Sequence, residues 1–150
     1  MTRTKSLLGI SIIVSISLFV LSSQYESVLI FLGAILPNID KKVDGLHRSW
    51  IFHTTLSTTF LYHILKVSNL STIVPQLVTG IHYLTIGIIL HMIVDFGLKD
   101  EMEGSGTQWP INPSLGSEAW GLIFLGISWG IQWFFYLSSV FIPWIAELFI

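Results

Sequence analysis

The 150-residue chain contains no cysteine. Disulfides and thiolate metal sites are therefore excluded, and any bound metal must rely on His, Asp, Glu or water. Charge is also scarce. Asp, Glu, Lys and Arg make up 11% of the residues and leave a net charge of −2. The sequence has no basic run of the kind that tracks nucleic-acid phosphates, so no nucleic-acid partner is expected. Internal repeats and low-complexity tracts are absent too. What is abundant is apolar surface: 52% of residues are hydrophobic and the mean hydropathy is +0.74. The length suits one domain. Several apolar windows are long enough to span a bilayer, which takes roughly 20 residues. The expectation is a single all-α domain over residues 1–150, an integral membrane helical bundle of four to five spans.

The spans are expected near 6–23, 25–37, 50–67, 77–98 and 119–142. The basic start and apolar run of "MTRTKSLLGISIIVSISLFVLSS" also fit a signal peptide. No clear small-x-small cleavage site follows, which favours a retained first helix. The second segment, "YESVLIFLGAILP", is short. About 13 helical residues cover roughly 20 Å against a hydrocarbon core of approximately 30 Å, so it is a short span or a re-entrant piece. If successive loops alternate sides, Arg3, Lys5, Lys41, Lys42, Arg48 and Lys99 share one side and only Lys66 lies on the other. The positive-inside rule makes the first side cytoplasmic and places the N-terminus there. Trp120, Trp129, Trp133 and Trp144 lie in or near the last span and suit interfacial, structural positions.

That topology gathers the ionisable residues. "NIDKKVDGLHRSWIFH" (38–53) places Asp40, His47 and His53 near one membrane face, and "HMIVD" places His91 and Asp95 near the same face. His91 and Asp95 are four residues apart and project from one side of a helix, which suits two ligands of one ion. An ionisable residue in so apolar a segment is a functional candidate by default. A His–Asp pair that satisfies itself near a helix end is the plainer reading of the same residues. Together, Asp40, His47, His53, His91 and Asp95 form a His/Asp set that suits Zn²⁺, Mn²⁺ or Fe²⁺ better than Ca²⁺, as one ion or two. Asp44, beside Gly45, reads as a turn former. His63 and His82 approach the opposite interface near Lys66 and read as interfacial or packing histidines.

Four short motifs, "GAILPNID" (33–40), "HRSWIFHT" (47–54), "LHMIVD" (90–95) and "GTQWP" (106–110), occur in order on this chain. In that order they resemble the small membrane-bound metal-dependent hydrolases of the group described as LexA-binding and inner-membrane-associated. The resemblance covers about residues 28–113. It implies metal ligation by the acids and histidines that fall at Asp40, His47, His53, His91 and Asp95. Two positions depart from the family pattern. Asn38 stands where the first acid of P-D-I-D is usual, which leaves it as a weak ligand at most. The two histidines of the H-R motif are six residues apart rather than five.

Two functions follow. The first is a metal-dependent membrane hydrolase in which a divalent ion activates water against an ester or phosphoester, with a lipid or lipid-linked headgroup as the substrate class. Arg48 is then a candidate for holding a substrate phosphate, and Glu101 or Glu103 (with Glu118) for a general base. The second is a non-catalytic adaptor or sensor whose metal staples the bundle. A small transporter fits less well, because its ionisable groups should reach the mid-membrane.

Overall fold

The computed structural model describes residues 2–38, 54–97 and 118–150. Among them every regular element is helical. In chain order these are α1 (Thr2–Ser22), a 3₁₀ turn (Tyr25–Val28), α2 (Leu29–Ile35), α3 (Leu56–Val67), α4 (Leu70–Ile73), α5 (Pro75–Gly97), α6 (Glu118–Gln132), a π-helical segment (Trp133–Phe141) and α7 (Ile142–Glu147).

Local chemistry explains where the helices stop. α1 ends at Ser23, which takes a left-handed conformation (φ 56°) and returns its N–H to the Phe19 carbonyl at 2.8 Å. This is the usual left-handed helix stop, made here without glycine. The Ser22 hydroxyl caps the Leu18 carbonyl at 2.7 Å. Asn69, the other positive-φ residue (φ 58°), turns the chain between α3 and α4. Asparagine tolerates that region better than most residues. Pro75 opens α5, where its missing N–H costs nothing.

The contacts fix the directions. Leu7, near the start of α1, meets Ala34 and Val94, whereas Ser22, at its end, reaches Tyr83. α1 therefore runs antiparallel to both α2 and α5. α2 and α5 run parallel to each other: Leu29 lies at Gly80, Gly33 at Gly87 and Ala34 at His91. Thr55 at the start of α3 bonds Gln132, while Tyr62 lies beside His82. Tyr136 reaches His82 and Trp144 reaches Tyr83. α3 and the α6–α7 run thus both descend against α5. The start of α1, the end of α2, the starts of α3 and α6 and the end of α5 all lie at one end of the bundle.

The closest helix approach is between α2 and α5. A Cβ added at Gly33 would fall on the Leu84 carbonyl oxygen, and one added at Gly87 would fall on the Ile30 carbonyl oxygen and 2.7 Å from the Ala34 nitrogen. Only paired glycines permit this spacing, so the two backbones touch. The core around it holds Ile30, Ile81, Ile86, Tyr62, Tyr83, Tyr136 and Phe141.

Among the described residues one helix, Pro75–Val94, is long and apolar enough to cross a membrane; Ser6–Ser22 and Tyr25–Asn38 are shorter apolar helices. The second segment is helical over Tyr25–Asn38, close to the expected 25–37, and opens as a 3₁₀ turn before α2. Within the described residues α3 begins at Leu56 after a turn at Thr54 and Thr55; the expected start at 50 lies outside them. The last helical run continues through Pro143 to Glu147. Ahead of that proline, the π register bonds residues five apart and stacks them on one face. Tyr136 and Phe141, five apart, are both buried as a result.

Candidate functional site

The parallel α2–α5 pair builds the candidate site. Because Gly33 and Gly87 let the backbones touch, the next turn of α5 brings His91 against the end of α2. His91 is 3% exposed, and its Nδ1 lies 2.8 Å from the Ala34 carbonyl oxygen. A carbonyl can only accept, so Nδ1 carries the hydrogen and donates it. The ring lone pair is then on Nε2. A backbone carbonyl that fixes this tautomer is the common outer partner of a metal-ligating histidine. Ala34 is itself fully buried, and Pro37 follows it into the interior. Asn38, one turn beyond Ala34, is half-buried. α5 stays helical through Gly97, so Asp95 occupies the turn after His91 on the same helix.

Of the expected ligands, His91 therefore has described surroundings, and Asp95 a helical backbone position one turn away. Asp40, His47, His53, Arg48, Glu101 and Glu103 lie outside the described residues, as does Asp44. Among the described residues no group of three or more His, Asp or Glu is arranged to hold a metal ion. The parallel register brings the ends of α2 and α5 to one level.

Nine residues earlier on α5, His82 lies in a different setting. Its hydrogen bonds can be assigned in order. The Thr85 hydroxyl donates to the Ile81 carbonyl at 2.8 Å. Its oxygen must then accept from the Tyr136 hydroxyl at 2.9 Å. The Tyr136 oxygen in turn accepts from His82 Nδ1–H at 2.8 Å. The ring is enclosed by aromatics, with Trp144 at 4.7 Å and Tyr136 stacked at 5.7 Å. This is a packing histidine. His63 is half-buried and donates Nε2–H to the Phe135 carbonyl at 3.2 Å, inside the π segment. Trp144 belongs to this aromatic core, whereas Trp133 is exposed.

Sequence reasoning did not single out a third polar group. The Thr55 hydroxyl donates to Gln132 Oε1 at 2.7 Å, and Gln132 Nε2 donates to the Ser128 carbonyl at 2.9 Å and its hydroxyl at 2.7 Å. Gln132 is almost fully buried. The available signal was a lone glutamine amid "GISWGIQWFF", where burial demands hydrogen-bonded partners.

Among the described residues the fold is all-helical, with a buried histidine whose Nδ1–H bonds the backbone of the neighbouring helix. No protein-family model, curated protein or solved structure matches the chain.

Proposed function

We propose that the protein is a multi-pass membrane protein of four to five spans, with its N-terminus and the His91 end on the cytoplasmic side. We propose further that it is a metal-dependent hydrolase of the small membrane-bound family its motifs resemble. Asp40, His47, His53, His91 and Asp95 would hold one or two divalent transition-metal ions, with Asn38 as a weak additional ligand. The observation that carries this reading is the buried His91, whose Nδ1–H bonds the Ala34 backbone carbonyl at the end of the parallel α2–α5 pair, the outer partner common to metal-ligating histidines. The alternating helix directions support the sidedness, because the chain ends flanking the basic segments gather at one end of the bundle.

A divalent ion there would supply an activated water and polarise an ester or phosphoester oxygen. The chain's own residues would position the substrate. Arg48 can hold a phosphate by a two-pronged hydrogen bond, and Glu101 or Glu103 can take a proton. The natural substrate class at a membrane face is a lipid or lipid-linked headgroup.

The test is hydrolysis of bis(p-nitrophenyl) phosphate and p-nitrophenyl acetate by detergent-purified protein. The protein is stripped with chelator and reloaded with Zn²⁺ or Mn²⁺. Turnover that returns with metal and is lost in Asp95→Asn supports a hydrolase. Bound metal without turnover of any ester or phosphoester would favour the non-catalytic, metal-stapled adaptor.

A further inference from the structure

The α3–α6 side of α5 contains a second feature, away from the face that carries His91 to α2. A cavity of about 310 Å³ lies between the start of α3, the later turns of α5, the end of α6 and the π-helical segment that follows it. Ile89, Met92 and Ile93 line it from α5, Thr54 and Thr55 from the start of α3, Trp129 and Gln132 from the end of α6, and Leu137 from the π segment. The spacing i, i+3, i+4 places the three α5 residues on one helical face.

The chemistry of the lining selects the guest. Thr54, Thr55 and Gln132 are polar, but Thr55 and Gln132 bond each other and Ser128, and the Thr54 hydroxyl accepts the Leu56 N–H, so each is already bonded within the wall. A site needs two to four polar partners to hold water, and cavities without them stay dry and take apolar guests. A dry cavity of roughly 150 Å³ already accepts benzene; this one is about twice that size. Among the described residues no charged side chain lines it. Two of its lining residues are open to the outside, Ile93 at 59% exposed and Trp129 at 43%, and Ile127 and Phe134 on the α6 side are exposed as well.

We propose that this cavity is a binding site for one acyl chain of a bilayer lipid, which enters sideways between Ile93 and Trp129. The inference rests on the membrane reading and not on the metal. A lipid chain seated there wedges α3, α5 and α6 at the level of the candidate metal end, on the opposite side of α5.

The test uses the full chain in phosphatidylcholine vesicles doped with a phosphatidylcholine that carries a diazirine on its acyl chain. Photolabelled positions are mapped by mass spectrometry. The expected result is labelling concentrated on Ile89, Met92, Ile93 and Trp129, above that at Ile13, Ile16 and Val20, which are at least as exposed on α1. Met92→Trp fills the cavity and should reduce labelling there to the α1 level. Ile93→Trp closes the mouth from an exposed position, where the fold tolerates the change, and should do the same. Equal labelling at all these residues, unchanged in both variants, would overturn the site. Labelling by a free diazirine fatty acid but not by the phospholipid would overturn the bilayer source. His91→Ala should leave the labelling pattern intact, so loss of metal with intact labelling would count against the metal reading alone. Failure of the protein to float with vesicles would overturn both.

Discussion

α5 carries two histidines nine residues apart, and both are 3% exposed. Their surroundings separate them. His82 lies among rings, with a tyrosine, a threonine and a backbone carbonyl completing a closed chain of hydrogen bonds. His91 donates to the backbone of another helix, at the end of the bundle from which residues 39–53 and 98–117 depart. Both rings carry hydrogen on Nδ1, so tautomer alone does not distinguish a packing histidine from a ligand. The difference is in their neighbours. Around His82 stand core aromatics, Tyr62, Tyr136, Phe141 and Trp144; one turn beyond His91 on the same helix comes Asp95, followed in sequence by Asp100, Glu101 and Glu103. Burial of a histidine in an apolar helix is thus a weak guide to function until its neighbours are known.

The largest effect should come from the contact that positions His91. Gly87→Leu drives a side chain into the Ile30 carbonyl and the Ala34 backbone. Overpacking of this kind costs about 3 kcal/mol, and here backbone rather than a flexible side chain must give way. Gly126→Leu, where a Cβ meets nothing within 4 Å, should change stability by less than about 0.5 kcal/mol. Unfolding followed by circular dichroism in detergent checks the pair. Equal losses would mean that α2 and α5 do not touch at Gly33 and Gly87.

A smaller effect is expected at the other histidine. Tyr136→Phe removes one hydroxyl and leaves His82 Nδ1–H without its acceptor, at a cost of about 2 kcal/mol. Bound metal should be unchanged in this variant. If Tyr136→Phe removed metal as well, the two regions would be coupled and the comparison would fail.

Much of this was legible beforehand, for identifiable reasons. The helical class follows from long apolar runs with few charges. α5 was expected at 77–98 and runs Pro75–Gly97, because a proline start and a polar, glycine-containing end are local signals. The start of α3 was not legible. Trp50, Ile51 and Phe52 continue the apolar run, yet the described helix begins at Leu56, after a turn at Thr54 and Thr55. In that turn the Thr55 carbonyl accepts from the Thr58 and Thr59 hydroxyls as well as the Thr59 N–H. The passage of the last helix through Pro143 was equally hidden, since the π register that precedes the proline has no simple sequence mark. At the candidate site, the pairing of His91 with Asp95 on one helix is a matter of spacing. The Ala34 carbonyl is not, because a backbone acceptor leaves no trace in residue identity. The match of Gly33 to Gly87 is likewise invisible, since a glycine does not name its partner.

The central claim is that His91 ligates metal while His82 packs. Elemental mass spectrometry of detergent-purified wild type, His91→Ala and His82→Ala, each supplied with Zn²⁺ or Mn²⁺, tests it most directly. The account predicts one or two equivalents of metal in the wild type and in His82→Ala, and a loss of metal in His91→Ala. Full metal content in His91→Ala, or none in the wild type, would contradict it.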